Sequence, residues 1–154
     1  MTVGLTRPAS DQPAVVAGTA LAALALADAG DTAGARQLLY RVVTDEVVLP
    51  RDNFWLGAVA LFAGVAAAVG SPRQRAICRS ALEPAADQLV VFGAGGAVFG
   101  PVSYWLGQLA QADHDEAAAA DLLTRAVDIC YNADAPFWAE RASQELRPAA
   151  GSTD

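Results

Sequence analysis

The only histidine, His114, sits among three acids in Asp113-His114-Asp115-Glu116. That cluster is the one place where a metal ligand or a carboxylate-held general base could be assembled. A single imidazole with no thiolate near it in sequence makes a poor zinc set. The competing reading is a polar turn, with Asp115 and Glu116 favouring the positive end of the helix that follows. Gly93-Ala-Gly-Gly96 invites comparison with a phosphate loop, but it lacks the Lys and Ser/Thr that must follow one. It reads as a flexible connector. Ser10, Ser71, Ser80, Ser103 and Ser143 supply hydroxyls without a GxSxG elbow. Activation of any of them would rest on His114 alone. Cys78 and Cys130 form no CxxC pair, and each falls inside a helical pattern, which suits buried free thiols. Trp55, Trp105 and Trp138 fall near helix starts, with Tyr104 and Phe137 beside two of them. Such aromatics serve as core wedges or line a ligand pocket.

The elements that must hold these groups are helices. Alanine makes up about a quarter of the 154 residues, hydrophobic residues 54% and charged residues 18%. That composition favours helix over strand and disfavours disorder. Asp11 and Pro13 open a helix that runs to Ala29. Gly30-Asp31 breaks it, and a second helix runs from Thr32 to about Val43. Asp52-Asn53 caps a third that reaches Val69. Gly70-Ser71-Pro72 turns the chain into a fourth, from Pro72 to about Val90, with Pro84 able to kink or split it. A fifth spans about Val98 to Ala112, a sixth Asp115 to Asn132, and a seventh starts near Pro136 and ends before Pro148. Leu89–Phe92 is the best strand candidate and is too short to build a sheet alone. The expected organisation is a leader over 1–10, one helical domain over 11–148 and a frayed tail over 149–154.

Net charge is −7, with 10 Lys+Arg against 17 Asp+Glu and no basic run. Direct binding to nucleic acid or to an anionic membrane surface is therefore disfavoured. The uncharged stretch Phe54–Gly70 is short of the roughly 20 residues a membrane span needs. No secretory signal pattern precedes Asp11. Free cysteines and that absence fit a cytoplasmic protein.

The turns at Gly30, Gly70 and His114 recur at intervals of forty and forty-four residues. Periods of this size mark stacked supersecondary units. Leu106-Gly107, His114, Ala119, Leu123 and Ala126 fall at the spacing of a tetratricopeptide repeat, which the third pair of helices resembles. Ala22-Ala23, Gly30, Ala35, Leu39 and Val42 follow the same pattern more loosely, and the middle pair needs a one-residue slip near Arg75-Ala76. His114 stands where that family has glycine. The stretch from Gly100 to Arg141 is similar to the last unit in the C-terminal helical regions of large bacterial LuxR-type ATPase regulators and their adenylate-cyclase-linked relatives. The resemblance implies an all-α fold of antiparallel helical hairpins stacked as a short solenoid of about seven helices. It also implies a scaffold or sensor role and implies nothing about catalysis; no cofactor is expected. Neither the ATP-binding segment nor a helix-turn-helix is present.

Carrying over the family's groove positions gives Ala17, Ala20, Leu24 and Ala27, then Gly57, Ala60, Gly64 and Ala67, then Tyr104, Gln108 and Gln111. This lining is small and apolar, with polar groups only at one end. Two readings stand side by side: tight helix packing inside the stack, or a groove that admits an apolar helix or small molecule. The expected function is a non-catalytic module binding another protein or a second copy of itself. The alternatives are a sensor that holds an apolar small molecule and, more distantly, an enzyme with a pocket around His114 or Tyr104.

Overall fold

The structure, a computed structural model, describes residues 13–92 and 97–147. The expected leader, the Asp11 cap, the Gly93–Gly96 connector and the tail lie outside the described residues. The described chain is mostly helical: α1 (Pro13–Asp28), α2 (Thr32–Val42), α3 (Trp55–Val69), α4 (Pro72–Leu82), α5 (Val102–Ala112), α6 (Glu116–Asn132) and α7 (Pro136–Leu146). Between α4 and α5 lie β1 (Leu89–Phe92) and β2 (Ala97–Pro101).

Three of the turns between helices are closed in the same way. At Gly30, His114 and Asp134 the backbone enters the left-handed region, with φ of 84°, 59° and 53°. The following residue's N–H reaches back to the preceding helix: Asp31 to Leu26 O, Asp115 to Ala110 O and Ala135 to Cys130 O, each at 2.9 Å. This is the Schellman closure, which satisfies carbonyls orphaned at a helix end. Asp31 and Asp115 then cap the next helix by accepting from Gly34 N and Ala118 N. The middle turn is built differently. Gly70 is extended, and Ser71 forms a reciprocal capping box with Gln74.

Beyond the turns, α1 packs on α2 and α3, α3 on α4 and α5, α5 on α6, and α6 on α7. Ala23, Ala35, Leu39 and Val42 fill the first hairpin, and Gly107, Ala119, Leu123 and Ala126 the third. Each of the second set lies as far along the chain from its counterpart as His114 does from Gly30. One apolar core runs through all seven helices.

Two expectations need correction between Leu82 and Val102. The fourth helix does not reach Val90. It ends at Leu82, and a 3₁₀ turn carries Pro84. The fifth helix does not begin at Val98, because Ala97–Pro101 is a strand paired antiparallel with Leu89–Phe92. Within this two-stranded hairpin, Val91 faces Val98 and Phe92 faces Ala97, with an irregularity between Leu89 and Val91. Gly100 takes φ of +74° there, and a Cβ on it would lie 2.7 Å from the Trp138 ring. Both the turn and the close approach require glycine. The sheet is too small to stand alone, and helices hold it. Trp105 Nε1 donates to Phe99 O at 2.8 Å and Trp138 Nε1 to Val98 O at 2.9 Å. The α5 N-terminus returns the favour, since Val102 N and Ser103 N donate to Gln88 O and Ala86 O.

Candidate functional site

The small-residue face of α3 is occupied by the chain's own side chains. Gly57, Ala60 and Gly64 are buried, and Ala67 is half-buried. A Cβ on Gly57 would lie 2.6 Å from Phe92 Cζ, at the hairpin. One on Gly64 would lie 2.6 Å from Trp105 Cζ3 and 3.3 Å from Leu24 Cδ1. Leu24 of α1 and Trp105 of α5 therefore meet the α3 backbone at Gly64. Of the carried-over α1 residues, Ala17 and Ala20 are buried while Leu24 and Ala27 are half-buried.

At the polar end, Tyr104 is 1% exposed. Its hydroxyl accepts from Gln108 Nε2 and Arg141 Nε, each at 3.0 Å. Trp105 and Trp138 stand edge-on to its ring at 5.1 and 5.4 Å. Burial raises the Tyr104 pKa, and the Arg141 hydrogen bond opposes that rise. Gln111 Nε2 donates to Glu145 O at 3.3 Å. These groups tie α5 to α7. Arg141 had not been singled out from the sequence. Its place one turn beyond Phe137-Trp138 was the available signal.

His114 is exposed at the turn before α6. Its acidic neighbours are committed elsewhere: Asp113 pairs with Arg75 and Arg79, and Asp115 caps α6. Among the described residues no group of three His, Cys, Asp or Glu side chains is placed to hold a metal. Both thiols are free and buried, and burial pushes the Cys78 pKa up to about 12 and raises that of Cys130. Among the described residues no helix is long and apolar enough to cross a membrane.

Two features that sequence reasoning missed remain open. The first is a cleft of about 530 Å³ between α4 and the connector after α2. Its apolar wall includes Val47, Leu49, Trp55 and Ile77. The Arg51 guanidinium lies 4.1 Å over the Trp55 ring, and an exposed Arg73–Asp45 pair marks the rim. The second is the outer side of α1. Val15, Gly18, Leu21, Ala22 and Ala25 share an arc opposite the α3 contact, and all five are exposed. Val15 is 43% and Leu21 41% exposed. No charge occurs in α1 before Asp28. That uncharged run, apolar on every side, was the signal available in the sequence.

No family model matches the chain, and no curated protein or solved structure matches it.

Proposed function

We propose that the chain is a tetratricopeptide-like helical-repeat module, cytoplasmic and non-catalytic, that binds another protein chain through the outer side of α1. The observation that carries this reading is the two-sided apolar character of α1, with Val15 and Leu21 exposed and no charge before Asp28. A helix apolar all round is normally covered on both sides. Among the described residues, the side facing α3 is covered and the other is not. The helix at the far end carries charge on its exposed side: α7 turns Glu140, Arg141 and Gln144 outward beside Phe137 and Leu146. In a stack of repeats, a polar outer face closes an end, and an uncharged apolar one such as that of α1 continues into another chain or repeat. The packing of α3 between α1 and α5, and the matched closures at Gly30 and His114, support stacked hairpins.

The test is native mass spectrometry of the chain purified from its own host, beside a Val15→Glu, Leu21→Glu double variant. The wild type should emerge bound to another polypeptide, itself or a different one. The variant should keep its helical circular dichroism and lose that partner. A wild-type chain that emerges alone would remove the reading.

A second reading has one observation in its favour, the cleft beside Trp55. Its apolar wall under an arginine suits a small amphipathic molecule. A small ligand retained in native mass spectrometry and lost in Ile77→Glu would favour it over the first.

A further inference from the structure

Resting on the second reading, the cleft beside Trp55, we infer that this cleft takes a small apolar carboxylate, an alkyl or aryl acid whose anionic head is held by Arg51. The connector that builds the cleft is the first observation. The tight turns after α1, α3, α5 and α6 take two or three residues each, but twelve, Val43–Phe54, separate α2 from α3. Returning the chain needs no such length, and loops this long in a packed domain are commonly binding elements. This one is fixed in place. Val43 bridges Val47, Val48 N donates to Val42 O at 2.8 Å, and Gln74 Nε2 donates to Val43 O at 3.2 Å. Between it and α4 stays the space of about 530 Å³. Along α4 the wall is Arg73, Ala76, Ile77, Ser80 and Ala81, one helix face over two turns, about 12 Å long. Those dimensions suit a ligand of about a dozen non-hydrogen atoms.

Charge selects the head group. Among the described residues, Asp45, Glu46, Arg51 and Arg73 are the charged groups bordering the cleft. Asp45 and Arg73 satisfy each other. Arg51 lies over the Trp55 ring, and among the described residues no carboxylate pairs with it. Its neighbour Asp52 instead accepts from Phe54 N at 2.9 Å. A guanidinium over an indole keeps the N–H groups at its edge free, and their fork matches a carboxylate. Asp45 and Arg73 also border the hollow beside Tyr40, whereas Arg51 and Trp55 do not. The acids therefore lie toward one end of the cleft and Arg51 toward the other. A cation drawn to Glu46, which follows Asp45, would meet Arg73 as well. Val47, Leu49 and Ile77 call for an apolar body, which a hydrated inorganic anion lacks.

Nitrogen–proton NMR of the full chain tests this, with phenylpropanoate and decanoate as probes and phenylpropanol as the neutral control. Ligands of this size should bind with a dissociation constant of about 1 mM. The Trp55 indole signal should move, while those of Trp105 and Trp138, bonded to Phe99 O and Val98 O, should stay. Arg51→Gln, at an exposed position, should weaken both carboxylates about fivefold and leave the alcohol unchanged. Arg51→Glu should turn the preference toward phenylpropylamine. If the alcohol binds as tightly as phenylpropanoate, or Arg51→Gln loses nothing, the carboxylate assignment is overturned and the cleft reading stands. If no probe moves the Trp55 signal at about 10 mM, both are overturned.

Discussion

Replacing Gly64 with alanine sets two known effects of similar size against each other. Alanine in the middle of α3 favours helix by about 1 kcal/mol over glycine. The added methyl, however, would sit 2.6 Å from Trp105 Cζ3 and 3.0 Å from its Cε3. The ring has little freedom to retreat. It is 3% exposed, its indole is tied to Phe99 O, and Tyr104 and Trp138 press on its other sides. Overpacking of such a site costs about 1–3 kcal/mol. The clash should therefore outweigh the propensity, with a net loss of about 1 kcal/mol and a melting temperature lower by about 3 °C. Gly57→Ala makes an equally short approach, 2.6 Å to Phe92 Cζ. There the obstacle is the tip of a half-buried ring on the hairpin, which can swing. That variant should stay within about 0.5 kcal/mol of wild type, because propensity and clash nearly cancel. Urea unfolding followed by tryptophan fluorescence measures both. A cycle with Trp105→Leu isolates the cause, since Gly64→Ala in that background should turn stabilising by about 1 kcal/mol. If Gly64→Ala raises stability in the wild-type background, the ring is not held as described.

Other perturbations follow from single contacts. Burial alone would raise the Asp113 pKa, but hydrogen bonds from Arg75 and Arg79 more than offset it and hold the carboxyl below its usual value. Its stabilisation is therefore present above the unfolded carboxylate pKa and fades as pH falls through the depressed folded one. Asp113→Asn should cost about 2 kcal/mol at pH 7, and the cost should shrink as pH falls below the ordinary carboxylate range in urea titrations. His114→Gly should keep the fold and stabilise it slightly, whereas His114→Val should cost about 1–2 kcal/mol, because a β-branched residue resists φ of 59°. Cys78 should ignore Ellman's reagent until the protein unfolds, since its thiol is buried and raised to about 12; rapid labelling in native buffer would contradict its placement.

Helix positions were legible because local chemistry fixes them. Ser71 caps the fourth helix as expected, Asp31 and Asp115 cap the second and sixth, and the cap expected from Asp52-Asn53 is not made, since Asp52 accepts from Phe54 N ahead of α3 instead. His114 was read as a departure from a glycine turn. It adopts the glycine-like backbone angle all the same, and Asp134 repeats it one turn later. The hairpin was not legible in the same way. Leu89–Phe92 looked like an isolated apolar run, since its partner begins beyond Gly93–Gly96 and was read as the start of α5. Pro101 should have argued otherwise, because the residue before a proline avoids the helical region. What makes so small a sheet viable is non-local: two indole N–H groups, from Trp105 and Trp138, bind its carbonyls.

The small-residue face of α3 was legible in the sequence, but the groups that approach it were not. Gly57, Ala60 and Gly64 do mark a place of close approach, but spacing within one helix cannot say whether the approaching group is internal or external. Here Phe92, Trp105 and Leu24 supply it, each from a different element. The same limit runs the other way for α1. A helix whose apolar positions form one arc shows which side is buried, but one that is apolar throughout leaves the choice to its neighbours. Only with α3 in place do Val15 and Leu21 become the side left over. An exposed, uncharged strip on a chain with 17 acidic residues is then a surface on which like-charge repulsion does not oppose contact with a partner.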